Sequence, residues 1–199
     1  PMRGEGGGEG ATLRVVGTAH YLLGEFDEMG TPLGLEQRTA SSAPDEYMEL
    51  ARYWIAEARG DLDAASRVLR EQLARYPADR PVADGDLYGV ALLRHRAGLL
   101  AFARGDLEES FEHFRRSAEL SGRLGSAAST ALSVANMARV VAELAPAAPA
   151  RNRLVAELEA EDRQASRLID RDPTVSRQPV AAFYHDALGV HWLAAAPRD

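Results

Sequence analysis

Residues 91–122 read ALLRHRAGLLAFARGDLEESFEHFRRSAELSG, two runs of helical period that meet at one Gly-Asp step. Leu92, Leu93, Ala97, Leu100 and Ala101 share a stripe on the first run, and Leu107, Phe111, Phe114, Ala118 and Leu120 share one on the second. Gly105 tolerates the backbone geometry that ends a helix, the Asp106 carboxylate can take the free amides of the next, and Leu107 staples the two. The stretch therefore predicts a helical hairpin. Gly60-Asp61-Leu62-Asp63-Ala64-Ala65 lays over Gly105-Asp106-Leu107-Glu108-Glu109-Ser110, and Gly24-Glu25-Phe26-Asp27-Glu28-Met29 is a weaker third echo.

Working outward, Asp45 opens a predicted helix to about Arg59, with Tyr47, Leu50, Ala51, Trp54 and Ala58 on one stripe. Asp61 opens its partner, carrying Leu62, Ala65, Val68, Leu69 and Leu73 and ending before Pro77. Downstream, residues 126–144 carry Ala131, Val134, Met137, Ala138 and Val141, and Pro146-Ala147-Ala148-Pro149 breaks the chain. Residues 151–170 place Leu154, Leu158, Ala165, Leu168 and Ile169 on one side. Pro179, favoured in a first helical turn, opens a helix that buries Phe183, Tyr184, Leu188 and Trp192. Upstream, residues 11–23 carry Leu13, Val16, Tyr21 and Leu22 up to Gly24, and residues 25–44 read as a short or distorted helix. The domain plan is a flexible tail over 1–10, helical repeats over 11–144, and a C-terminal capping hairpin over 145–199.

Composition agrees with an all-α chain: Ala, Leu, Arg and Glu, all strong helix formers, are abundant, and no strand-like alternation runs over a useful length. The formal charge of −7 argues against direct nucleic-acid binding, which gains from a positive surface. There is no cysteine, so thiolate ligands and cysteine nucleophiles are excluded. No run reaches the roughly 18 apolar residues of a membrane span, and the expectation is a cytoplasmic protein. All 23 basic residues are Arg, in keeping with a coding bias that also favours Ala, Gly, Pro and Asp.

The hairpins resemble the tetratricopeptide repeat family in a degenerate bacterial form. Ala97-Gly98 is similar to the close-packing pair of that family's first helix, Gly105-Asp106-Leu107 to its turn, and Ser110, Phe114 and Ser117 to the small, large and small positions of its second helix. Pro77 matches the closing proline of the unit before, whose Arg52-Tyr53 departs from the favoured Leu–Gly pair. The resemblance covers roughly residues 11–144, most clearly 45–122, although the turns at Gly24, Gly60 and Gly105 are unevenly spaced. It implies antiparallel hairpins stacked into a right-handed α-solenoid whose first helices line a concave groove. More distantly, the chain looks like sensor regions of large bacterial transcriptional regulators.

By that resemblance the groove residues are Tyr47, Leu50 and Trp54 from one unit, His95, Leu99 and Phe102 from the next, and Asn136 and Arg139 beyond. The aromatics would anchor a protein or peptide segment, and Arg139 with Asn136 would hold its backbone or a carboxylate. The same spacing also describes a packed core stripe, and Arg139 and Asn136 read equally as surface decoration and helix packing. The function expected is a protein–protein interaction module. The alternative is a sensory domain that binds a small effector or peptide for a regulator. The terminal Phe183, Tyr184 and Trp192 leave room for a homodimer, though capping of an open solenoid end explains them as well.

No enzyme, cofactor or metal site is expected. His20, His95, His113, His185 and His191 form no ligand pair on one helix. Glu109 and His113 are four apart, but no second such motif completes a dinuclear site. Asp84-Gly85-Asp86 lacks the downstream acidic spacing of a calcium loop and reads as turn plus cap.

Overall fold

The computed structural model describes residues 52–53, 56–57, 59–77, 80–145, 147–172, 174–175 and 179–195, with side chains as far as Gly189. The predicted helices over 11–23 and 25–44, the residues Tyr47, Leu50 and Trp54, and the side chain of Trp192 lie outside them. All regular structure among the described residues is helical. The chain divides into two compact units, Pro1–Ala74 and Arg75–Asp199.

In the first unit, residues 52–53 and 56–57 are helical, and α1 runs Leu62–Leu73. Asp61 caps α1 as its side chain allows: Oδ1 accepts from the Ala64 amide at 2.9 Å. Ala65 and Leu69 are buried. So is Tyr53, wholly sealed, with its hydroxyl donating to Glu57 Oε1 at 2.6 Å. The apolar stripe read from the sequence passed over Tyr53.

The second unit holds a 3-10 turn at Asp84–Asp86, α2 (Leu87–Arg104), α3 (Leu107–Arg123), α4 (Ala127–Glu143), α5 (Arg151–Arg171) and α6 (Pro179–Ala195). Each of α2 to α4 packs on its successor, and α6 returns to pack on α4. The contact boundary thus falls at 74/75, and the C-terminal pair shares a core with the helices before it, through Leu154, Leu158, Tyr184 and Leu188.

Three helix ends close the same way. Gly60, Gly105 and Gly125 have φ of 71°, 81° and 70°, the left-handed region that a Cβ disfavours. At each, the glycine amide bonds three residues back and the following amide bonds five back: Gly105 to Phe102 O and Asp106 to Ala101 O, for example, at 3.0 and 2.9 Å. This is the Schellman closure. The Gly60 and Gly105 turns each lead into an aspartate. The third, Gly125 before Ser126, joins α3 to α4. Asp106 stands at the N-cap of α3, and its carbonyl accepts the first helical bond from Ser110 N at 2.8 Å, but its side chain makes no cap bond.

Helices α2 and α3 approach closely at Gly98. A Cβ there would stand 2.7 Å from Cε1 of the Phe114 ring, and Ser110 Oγ donates to Gly98 O at 2.8 Å. On α2, Leu92 and Leu93 are only half-buried, while Leu87, Val90 and Ala91 are buried. Ala97, Leu100 and Ala101 of the stripe read off the sequence are buried, and the departure is confined to its start, at Leu92 and Leu93. Helix α4 is the centre of the unit. Six consecutive residues, Ser133–Ala138, are buried, because α3, α5 and α6 all pack against it. Its small side chains, with charge only at Arg139 and Glu143, suit a helix covered on most sides.

Candidate functional site

Two adjoining features occupy the side of α2 that meets α4. The first is a guanidinium held between rings. Arg139, exposed at the end of a buried run, lies with Cζ 5.1 Å from the centre of the Phe102 ring and 5.8 Å from that of Phe183. Its Nη1 donates to Asn136 Oδ1 at 3.1 Å, and Asn136 Nδ2 donates to Leu132 O at 3.0 Å. Asn136 is buried and steadies Arg139 rather than meeting solvent. Among the described residues no carboxylate pairs with Arg139. A planar cation stacked on aromatic faces keeps its edge donors free for a planar anion. Leu99 and Phe102 are half-buried against the main core.

The second feature is a cavity of about 90 Å³ lined by Tyr88, Leu92, His95, Leu124, Leu132 and four serines. Tyr88 and Leu124, the two large apolar side chains that stand exposed among the described residues, form part of its wall. His95 Nδ1 is 3.2 Å from Ser133 Oγ, Ser133 Oγ donates to Ser117 Oγ at 3.1 Å, and Ser117 Oγ donates to Ala91 O at 2.8 Å. The His95 ring stands edge-on to Phe114, centroids 5.3 Å apart. Burial first, then the charge of Arg96, lowers the His95 pKa to about 4, so the ring is neutral at pH 7. The proton of Ser133 is directed at Ser117 and not at the imidazole, so this pair is not arranged as a base activating a nucleophile.

Of the eight residues named from the sequence, the structure brings His95, Leu99, Phe102, Asn136 and Arg139 onto neighbouring parts of α2 and α4. Tyr47, Leu50 and Trp54 lie outside the described residues. Phe183 and the serines at 117 and 133 were missed as site residues. From the sequence Ser117 reads only as a packing position, and Phe183 only as a cap or dimer residue. No local signal identifies them, since they meet Arg139 and His95 across long stretches of sequence.

The other histidine of interest is internally satisfied. His113 Nε2 lies 3.6 Å from Glu109 Oε1, and Arg94 Nη1 stands 3.4 Å from its Nδ1; burial first, then Arg94, lowers its pKa. Between α3 and α5 runs an ionic strip, in which Arg115 grips Glu112 and Arg153 bridges Glu108 and Glu157, both at 3.1 Å. Beside it Glu161 has a buried Oε2 without a partner, and burial raises its pKa. Among the described residues no three His, Asp or Glu side chains converge as metal ligands would, and no helix is long and apolar enough to cross a membrane.

The chain matches no protein-family model, and no characterised protein or solved structure is significantly similar to it.

Proposed function

We propose that this protein is an interaction module of the tetratricopeptide type, its hairpins stacked as a right-handed solenoid, which holds a peptide or protein segment against the surface shared by α2 and α4. The observation that carries the reading is Arg139, stacked against Phe102 and Phe183 and tethered to Asn136 without a carboxylate among the described residues. Holding a cation in place without an internal counter-charge suits capture of an external one. The repeated Schellman turns and the close approach at Gly98 support the hairpin architecture. The segment therefore carries a carboxylate, from an acidic side chain or a chain end, with apolar residues beside it for Phe102 and Phe183.

A peptide-display selection against the full chain tests this. Enriched sequences are expected to share an acidic position next to an apolar one. Arg139→Ala weakens their binding about 10- to 100-fold, the worth of a charge-assisted hydrogen bond, and Arg139→Lys weakens it less. Selection without enrichment, or enriched peptides indifferent to Arg139→Ala, overturns the assignment.

A further inference from the structure

The hydroxyl chain behind His95 fixes which of its ring nitrogens carries the proton. A backbone carbonyl only accepts, so Ser117, 2.8 Å from Ala91 O, has to spend its one hydrogen there. Ser117 then accepts from Ser133, 3.1 Å away, and the only hydrogen of Ser133 is used in turn. What remains at Ser133 Oγ is a lone pair. The contact at 3.2 Å is therefore Nδ1–H donating to Ser133, and the neutral ring keeps a bare lone pair on Nε2. Nε2 has no hydrogen-bond partner among the described residues. It is also not one of the buried unpartnered atoms, which are Arg94 Nε and Glu161 Oε2, so it is accessible.

This acceptor belongs to a residue lining a cavity of about 90 Å³ whose other walls are Leu92, Leu124, Leu132, Tyr88 and serines. No carboxylate is among the lining residues, and a cation entering would leave its water without gaining an opposite charge. The volume is well under the roughly 150 Å³ that admits benzene, and suits about four heavy atoms.

We propose that this cavity is a binding site for a small aliphatic alcohol group, its hydroxyl donating to His95 Nε2 and its carbon frame resting on Leu92, Leu124 and Leu132. The site is distinct from the Arg139 surface and does not depend on the function assigned to that surface. The alcohol comes either from a free small molecule or from the threonine side chain of a docked segment.

Three probes of one shape separate donor from charge and volume: isopropanol, acetone and isopropylammonium, each titrated into the full chain with long-range proton–nitrogen NMR reading the imidazole of His95. In the free protein Nε2 is expected to be the unprotonated nitrogen. Isopropanol binds with a dissociation constant on the order of millimolar, the range for so few atoms, and shifts Nε2. Acetone sets lone pair against lone pair and binds about tenfold more weakly, as does the cation. N-acetyl-threonine N-methylamide against its valine counterpart then separates the sources: a hydroxyl preference there as well assigns the site to a peptide, and a preference confined to isopropanol assigns it to a free alcohol. Ser133→Ala removes the acceptor that holds the proton on Nδ1, and the ring reverts to carrying it on Nε2, as free histidine favours. The preference then turns towards acetone. A protonated Nε2 in the wild type, acetone binding as well as isopropanol, no probe shifting His95, or a preference unchanged in Ser133→Ala would each overturn the proposal. None of these readouts involves Arg139, so the groove reading stands or falls separately.

Discussion

One substitution, made at two positions of α2, is expected to have opposite signs. At Gly98 a new Cβ would meet the Phe114 ring at 2.7, 2.8 and 3.0 Å, under the distance that carbon atoms tolerate. Phe114 is buried and stands against His95, and the Ser110 hydrogen bond to Gly98 O ties the helices together at the same point. Overpacking of this kind costs about 1–3 kcal/mol. Replacing glycine inside a helix returns about 0.5–1 kcal/mol. The net for Gly98→Ala is a loss of about 1–2 kcal/mol, or about 3–6 °C in melting temperature for a chain of this size. At Gly89, in the same helix, nothing lies within 4 Å of the added atom. Gly89→Ala therefore keeps the helical gain and melts about 2–3 °C higher. Circular dichroism at 222 nm through thermal and urea unfolding measures both. Gly98→Ala at or above wild-type stability would refute the reasoning, because the Phe114 ring would then be free to withdraw.

Three further outcomes follow from the buried polar groups. His95, held down at about 4, refuses a proton that the unfolded chain accepts near 6.5. Stability is therefore lost as pH falls between those values, by about 3 kcal/mol in full; His95→Phe removes that part, and a wild-type-minus-variant difference that ignores pH in urea titrations would contradict it. Glu161 runs the other way, since burial raises its pKa and the fold pays for its ionised form at neutral pH. Glu161→Gln is more stable than wild type at pH 7, and the advantage fades as acid protonates the wild-type carboxyl; an advantage equal at neutral and acid pH counts against burial as the cause. Tyr184 donates its hydroxyl to the Asp162 carboxylate and lies 3.1 Å from Ser166 Oγ, so Tyr184→Phe lowers stability by about 1–2 kcal/mol in urea melts, and an unchanged midpoint would show that water replaces the phenol without loss.

Helix ends were the most legible part of the sequence, because they are decided locally. Gly60-Asp61 and Gly105-Asp106 announce a positive-φ residue and a new N-terminus within two positions, and the stripe from Phe111 to Leu120 can be read by period alone. The stripe of α2 holds at Ala97, Leu100 and Ala101 and departs at its start, where Leu92 lines a cavity that α3 and α4 help to wall. Tyr53 falls outside the stripe of Tyr47, Leu50 and Trp54, yet it is buried, with Glu57 one turn later accepting from its hydroxyl. The Asp106 carboxylate, which the sequence offers as a cap, makes no cap bond; the residue type allows the bond, but only the rotamer decides it. At the candidate site, the residues of α2 and α4 could be named singly. What joins them could not, because Phe102 and Arg139, or His95 and Ser133, meet across 37 and 38 positions of chain.

The enclosure of α4 also has a consequence during synthesis. Much of its surface is covered by α6, whose last residue, Ala195, is translated 52 residues after Glu143. At the usual elongation rates of about 5–20 residues per second, that gap lasts about 3–10 seconds. Until α6 has followed, the buried Val134, Met137 and Val141 of α4 lack their final cover, and a chaperone or a second nascent chain that meets the emerging helix finds apolar surface to bind.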